Sequence, residues 1–147
     1  MKKILMLASA AMFTIIISSN SGCSKDDNNS TASQVTALSQ TAQSTSWKIT
    51  YFFDNTDETA HYTGYTFVFN SNGTVTASKT GASNTNGTWS AGNDDSTIKL
   101  VLNFGTATPF LELNDDWHLI SQSSSMIKLQ DVSGGSGGTD YLTFEKI

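Results

Sequence analysis

Short stretches of alternating apolar and polar residues follow one another from about residue 46 to the C-terminus, separated by tight turn signals. About eight stretches have the two-residue period of a β-strand, and none in this span keeps the 3.6-residue period of a helix over ten residues. Asn72-Gly73, a dipeptide typical of hairpin turns, separates two of them. The predicted strands cover residues 47–53, 65–69, 74–79, 88–90, 98–104, 117–121, 126–130 and 141–146. The pattern predicts a meander of sequential antiparallel strands.

The edges of such a sheet restrict its architecture. An open meander leaves two exposed edge strands, whose unpaired backbone groups invite aggregation. Pairing the first strand with the last closes the sheet into an up-and-down barrel and removes both edges. We therefore predict an all-β domain built as an antiparallel up-and-down barrel of about eight strands. An open sandwich of the same strands is the alternative.

The first residues have the three parts of a secretory signal peptide. Lys2-Lys3 is basic, residues 4–17 are apolar with two exceptions, and residues 18–22 are small or polar and precede the single cysteine, Cys23. The apolar run of about 14 residues is shorter than the roughly 20 that a transmembrane helix needs. We predict that residues 1–22 are a cleaved signal peptide.

The residues that end in Gly22-Cys23 resemble the lipobox of bacterial lipoproteins, in which the cysteine becomes the lipidated first residue of the mature chain. Asn20 stands where lipoboxes usually carry Leu. A lone thiol at this place suits a diacylglyceryl anchor, and a single cysteine excludes an internal disulfide. The resemblance predicts lipidation at Cys23 and attachment to a membrane. The alternative is an ordinary cleaved signal with an incidental cysteine.

The residues after Cys23, Ser24-Lys25-Asp26-Asp27, resemble the start of mature lipoproteins from Bacteroidota-type bacteria. In those proteins, acidic residues just after the cysteine act as a surface-export signal. The resemblance implies an exported outer-membrane lipoprotein. It does not decide whether the protein lies on the periplasmic or the external face of that membrane. Two lysines and no acidic residue leave with the signal peptide, so the net charge would fall from −5 to −7.

Residues 23–45 consist mostly of Ser, Thr, Asn, Gln, Asp and Ala, with Val35 and Leu38 isolated among them. A segment of this composition buries too little apolar area to offset its ordering entropy. We therefore predict a flexible tether over residues 23–45 and a single domain over residues 46–147. A short helix over 31–42 is the alternative.

Five groups of residues carry a family resemblance across nearly all of residues 46–147. They are Ser46-Trp47-Lys48-Ile49, Gly64-Tyr65-Thr66-Phe67-Val68-Phe69 with Asn72-Gly73-Thr74-Val75, Gly87-Thr88-Trp89-Ser90, Asp116-Trp117-His118-Leu119 with Ile127-Lys128-Leu129, and Leu142-Thr143-Phe144-Glu145-Lys146. In order and spacing they resemble the bacterial lipocalin-like family of Bacteroidota lipoproteins. The resemblance implies an eight-stranded barrel, for many members without an established activity, with Trp47 as the plug of its closed end.

An eight-stranded barrel either fills its interior with side chains or holds one small ligand. The alternation predicts that large residues face inward: Trp47, Tyr51, Phe53, Tyr65, Phe67, Phe69, Trp89, Leu100 and Leu102. If a pocket remains among them, we expect Tyr51, Phe53, Tyr65 and Phe67 to line it. Apolar walls with a few hydroxyls would suit a small hydrophobic or carbohydrate ligand. A filled interior is the alternative.

Other functions find little support in the residues. All eight basic residues are Lys and the net charge is −5, which argues against nucleic-acid binding. His61 and His118 are the only histidines, too few for the usual metal site, and no G-x-S-x-G motif occurs. Glu112 and Glu145 have no evident carboxyl partner. The acidic runs are predicted to be solvated turns: residues 54–58, 93–95 and 114–116. We predict no catalytic residues, no metal, no cofactor and no enzymatic activity.

Two functions of different classes remain open. The first is a lipid-anchored barrel of the cell envelope that binds a small apolar or sugar-like ligand. The second is a structural or interaction module of the outer envelope, with a filled barrel and no small-molecule ligand. In both hypotheses the protein is a monomer. The volume of any cavity in the barrel distinguishes the two.

Overall fold

The computed structural model of the protein describes residues 27–132 and 138–147. The predicted signal peptide and Cys23 lie outside the described residues. Within these two ranges, one helix, α1 (Asp27–Gln43), precedes nine strands and two short 3-10 helices, Thr59–Tyr62 and Phe110–Leu113. The strands are β1 (Ser46–Asp54), β2 (Thr56–Asp57), β3 (Thr66–Phe69), β4 (Thr74–Ser78), β5 (Thr85–Asp94), β6 (Thr97–Asn103), β7 (Asp115–Gln122), β8 (Met126–Val132) and β9 (Thr139–Lys146).

The sheet closes on itself. From β3 to β9, each strand pairs antiparallel with the next one along the chain, and β1 pairs with both β3 and β9. The closing pair runs from Trp47 opposite Lys146 to Phe53 opposite Tyr141. The two-residue strand β2 folds back on β1 as a small hairpin outside the ring. The prediction of an eight-stranded antiparallel up-and-down barrel is therefore confirmed, and the open sandwich is not what forms.

The barrel interior is packed with aromatic rings. Phe67 lies near its middle and contacts the rings of Phe144, Phe110 and Phe104 at centroid distances of 5.5, 6.2 and 6.3 Å. Most of these pairs meet edge to face, an arrangement favoured by the ring quadrupole. The larger side chains with at most 2% of each exposed are Leu38, Trp47, Phe52, Tyr62, Phe67, Phe69, Leu100, Leu102, Phe110, Leu113, Trp117, Ile127, Leu129, Leu142 and Phe144.

The predicted flexible tether is wrong for Asp27–Gln43, which forms helix α1. Val35, Leu38 and Ala42 are spaced three and four residues apart and so share one face of the helix. That face lies on the hydrophobic core, with Leu38 and Ala42 0% exposed. The alternative, a short helix over 31–42, has the right position but is too short. The folded unit therefore begins before residue 46.

A bulge in β1 reverses the faces of its second half. Pairing with β9 is regular up to Ile49, which lies opposite Phe144. Thr50 is an extra residue without a partner in the register, and pairing resumes with Tyr51 opposite Thr143. Because each step along a strand changes the face, Phe52 points into the barrel and Tyr51 and Phe53 point out. The prediction that Tyr51 and Phe53 face inward is therefore wrong.

The connections of an up-and-down barrel alternate between its two ends. Both 3-10 helices lie in odd-numbered connections, β1 to β3 and β6 to β7, so they share one end, which we call the 3-10 end. Helix α1 leads into β1 at the opposite end and lies against β5 and β6; we call this the helix end. Three titratable side chains, Glu58, His61 and Glu112, lie close together at the 3-10 end.

Candidate functional site

The four residues predicted to line a pocket do not meet inside the barrel. Tyr51 is 40% exposed on the outer face and stacks on Phe53, with ring centroids 6.4 Å apart. Tyr65 is half-buried at the 3-10 end, with its ring edge-on to Phe110 at 5.0 Å. Only Phe67 lies wholly inside. Two of the predicted residues thus belong to the outer surface and two to the packed core or its margin.

No cavity is found in the described part of the chain. The space that a ligand would occupy is taken by the rings around Phe67 and by Trp47 and Trp117, whose indole groups are buried. Each indole N–H donates to a backbone carbonyl, of Ala42 and Leu113 respectively, at 2.8 and 3.0 Å. The indole N–H groups of Trp47 and Trp117 therefore have hydrogen-bond partners within the protein and need none from a ligand.

The barrel wall has one weak seam, between β1 and β3. These strands pair only at Ser46 with Val68 and Trp47 with Phe67, because β1 turns away toward β9. The rest of the seam is filled by the segment before β3: the Phe52 N–H donates to Thr59 Oγ1 at 2.9 Å, and the Glu58 N–H donates to the Phe52 carbonyl at 3.0 Å. The seam thus positions the Thr59–Tyr62 helix at the 3-10 end.

Three side chains converge on this helix: Glu58, His61 and Glu112. His61 Nδ1 lies 3.6 Å from Glu58 Oε2 and 3.5 Å from Glu112 Oε2. Glu58 and His61 are three residues apart, and side chains at that spacing eclipse on a 3-10 helix. Glu112 comes from the other 3-10 helix, about 50 residues later in the chain. We call this set the EHE cluster (Glu58, His61, Glu112).

Tyr62 joins the EHE cluster to the core. Its ring is buried edge-on against Phe52 at 5.3 Å and lies 6.1 Å from Phe110. Its hydroxyl donates to the Pro109 carbonyl at 3.1 Å and lies 3.4 Å from Glu112 Oε2. Burial, followed by the Glu112 carboxylate, raises the pKa of Tyr62 well above its ordinary value, so the phenol stays neutral.

The EHE cluster combines partial burial with access from solvent. The glutamate side chains are 26% and 30% exposed, whereas the imidazole of His61 is 48% exposed. One nitrogen and two carboxylate oxygens lie within 4.8 Å of one another. Such a set can share a proton, form an ion pair when the imidazole is charged, or bind a cation.

The EHE cluster was not predicted from the sequence. His61 was weighed only as a metal ligand together with His118, and Glu112 only as a carboxyl without a carboxyl partner. His118 lies on β7 opposite Lys99 and does not join His61. The spacing of Glu58 and His61 was a local signal, but Glu112 reaches them only through the barrel topology. Glu145, the other glutamate considered, lies on β9.

A second acidic group, Asp115, Asp116 and Asp131, lies on β7 and β8. Lys99 Nζ lies 2.6 Å from Asp116 Oδ2 and 3.3 Å from Asp94 Oδ2. The hydrogen bond from Lys99 lowers the pKa of Asp116, whereas burial, aided by the Asp131 charge, raises that of Asp115. This group has no nitrogen ligand, and a lysine partly neutralises it.

The outer face of β1 and β9 carries an aromatic surface. Phe53 lies directly opposite Tyr141, and Tyr51 stacks on Phe53 from two residues away on the same strand. Tyr51 and Tyr141 are both exposed. We call this surface the outer aromatic patch (Tyr51, Phe53, Tyr141). Exposed aromatic rings grouped on one face are typical of interaction sites.

Comparisons with known proteins assign the chain to no family. No protein-family model and no curated protein matches the chain. Among solved structures, the chain is similar to a DUF4847 family protein from Bacteroides vulgatus ATCC 8482. The two are 18% identical with a TM-score of 0.49, over 75% of this chain and 97% of that one. In the described part of the chain, no helix has the length and apolar character needed to cross a membrane.

Proposed function

We propose that the protein is an exported, lipid-anchored module of the outer envelope that acts through its outer surface and holds no small molecule in its barrel. The observation that carries the proposal is the interior: aromatic rings fill it, and no cavity is found among the described residues. A ligand-binding barrel of the predicted kind needs a hollow of roughly 300 Å³ or more. The proposal therefore takes only the barrel architecture from the lipocalin-like resemblance and not a ligand inside the barrel.

The anchor part of the proposal rests on Cys23 and on the distance from it to the folded unit. Helix α1 begins at Asp27, so three residues separate it from Cys23. Four chain steps span at most about 14 Å. A lipid on Cys23 would therefore hold the start of α1 within about 14 Å of the anchored residue.

Membrane fractionation tests the anchor. We expect Cys23→Ala to move the protein from the membrane fraction to the soluble envelope fraction, because a thioether-linked lipid can form only on the cysteine sulfur. Ser24→Ala is the matched control and should stay with the membranes. Unchanged membrane association of Cys23→Ala would contradict the anchor. Protease treatment of intact cells then decides between the external and the periplasmic face.

Site-specific photocrosslinking tests the interaction surface. A photoreactive residue replaces Tyr51 in the outer aromatic patch or, as a control, Val101, which is exposed on β6 across the barrel. We expect one discrete adduct with an envelope protein from position 51, lost when Tyr141→Ala is added, and none from position 101. Equal labelling from both positions, or a small molecule that co-purifies at one per chain in native mass spectra, would contradict the proposal.

A further inference from the structure

We propose that the EHE cluster is a binding site for a divalent transition-metal ion, with zinc the ion that its donors fit best. The inference is independent of the lipid anchor and of the outer aromatic patch. It assigns a ligand to an end of the barrel that neither the sequence patterns nor the comparisons connect with any chemistry.

The spacing of the donors is the first argument. Zinc binds His nitrogen and carboxylate oxygen at roughly 2.0–2.2 Å, and tetrahedral geometry then separates neighbouring donors by roughly 3.3–3.6 Å. His61 Nδ1 lies 3.6 Å from Glu58 Oε2 and 3.5 Å from Glu112 Oε2. Two of the three donor separations therefore match zinc coordination, and the third, between the two carboxylate oxygens, is at most 4.8 Å.

The donor types are the second argument. Calcium takes six to eight oxygen ligands, and magnesium prefers oxygen with retained water. One imidazole nitrogen with two carboxylates instead matches zinc and related transition metals. Three protein donors leave a fourth position for water, and the 48% exposure of His61 gives an ion access to the cluster from solvent.

The third argument is that a residue of the core lies beside one of the metal-binding side chains and holds it in place. The Tyr62 hydroxyl lies 3.4 Å from the Glu112 carboxylate, and its ring is held between Phe52 and Phe110 in the core. Groups that orient a metal ligand in this way raise the affinity of the site. Because Tyr62 and Phe110 belong to the two 3-10 helices, core packing keeps the donors from separating when no ion is bound.

The group of Asp115, Asp116 and Asp131 provides an internal contrast. It also brings three potential ligands close together, but all three are carboxylates, and Lys99 Nζ lies 2.6 Å from Asp116. A generic attraction of cations to acidic residues would affect both groups. Zinc coordination would depend on the EHE cluster alone.

Metal titration of the full chain in detergent, freed of metals with a chelator, tests the proposal. Co²⁺ is the first probe, because tetrahedral cobalt absorbs visible light strongly, and Zn²⁺ is then added to displace it. We expect one site per chain. His61→Ala and Glu112→Gln should each weaken binding about 100-fold, and Tyr62→Phe about 10-fold. Asp116→Asn, the control, should change it less than about two-fold.

Several results would overturn the site. These are a loss of affinity in Asp116→Asn equal to that in His61→Ala, no tetrahedral cobalt spectrum, or displacement of Co²⁺ by Ca²⁺ at equal concentration. His61→Gln, which keeps a polar side chain of similar reach, is the second variant. Thermal unfolding without metal verifies that each variant is folded. On adding Zn²⁺, wild type and Asp116→Asn should gain the most stability, Tyr62→Phe less, and the variants of His61 and Glu112 the least.

Discussion

The two ends of the barrel are closed in different ways. At the helix end, α1 places apolar Leu38 and Ala42 over the core, and a hydrogen bond from the Trp47 indole to the Ala42 carbonyl joins helix and barrel. At the 3-10 end, the plug is Tyr62, whose ring is in the core and whose hydroxyl lies beside Glu112. The first closure serves packing alone, whereas the second connects the core to titratable groups at the surface.

Trp47→Ala should have the largest effect, because it removes the plug of the helix end and the bond to α1. We expect the free energy of unfolding to fall by about 3–5 kcal/mol, as for other buried aromatic residues. Chemical denaturation measures it. Tyr51→Ala, on the outer face of the same strand, should cost less than about 1 kcal/mol. Similar losses in the two variants would contradict the assignment of the faces of β1.

Leu38→Ala comes next and tests whether α1 is part of the folded unit. The side chain is 0% exposed, so we expect a loss of about 2–5 kcal/mol. Leu111→Ala is the matched control at the 3-10 end, where the leucine is 42% exposed, and should cost about 0.5 kcal/mol. A flexible tether would instead make Leu38→Ala as mild as Leu111→Ala.

Tyr62→Phe keeps the ring and removes only the hydroxyl. Loss of its hydrogen bond to Pro109 should cost about 1 kcal/mol near neutral pH. Because burial and Glu112 raise the pKa of Tyr62, its hydroxyl stabilises the folded state fully below the unfolded pKa of about 10. This contribution is lost as pH rises above about 10.

The pH dependence of Tm tests the sign of that linkage. The Tm difference between wild type and Tyr62→Phe should shrink as pH rises from about 9 to about 11, since only the wild-type phenol can ionise on unfolding. A difference that is constant or grows over this range would show that Tyr62 is not kept neutral by its surroundings.

His61→Ala should have the smallest effect on stability. The imidazole is 48% exposed and its contacts with Glu58 and Glu112 are at the surface, so we expect a change within about 0.5 kcal/mol in metal-free protein. Thermal unfolding measures it, with Trp47→Ala as the opposite extreme. A large loss would make the EHE cluster a structural support and not a site.

The ring strands other than β5 could be predicted nearly whole, because each carries its own two-residue period and its own turn. β5 was predicted only over 88–90, and the acidic runs predicted as turns lie partly in β1, β2, β5 and β7. Helix α1 could not be predicted, since only three of its apolar residues reach the core and nothing local indicates what covers them. The predicted faces of Tyr51 and Phe53 were wrong because a bulge at Thr50 shifts the alternation by one residue. Residues 52 and 53 are both Phe, so the apolar pattern does not show which of them faces inward. The EHE cluster needed the topology, which brings Glu112 to His61.

Closure of the ring by β1 and β9 has a kinetic consequence. From β3 onward every pairing joins neighbours in the chain, but Trp47 pairs with Lys146, about 100 residues later. Loop-closure entropy and folding rate both depend on such separations. Until the last strand has emerged, the short pairing with β3 is the only one that joins β1 to the ring. A chain truncated before Thr139 would keep two unprotected edges. The eight residues of β9 therefore determine whether the other strands form a closed domain or an aggregation-prone sheet.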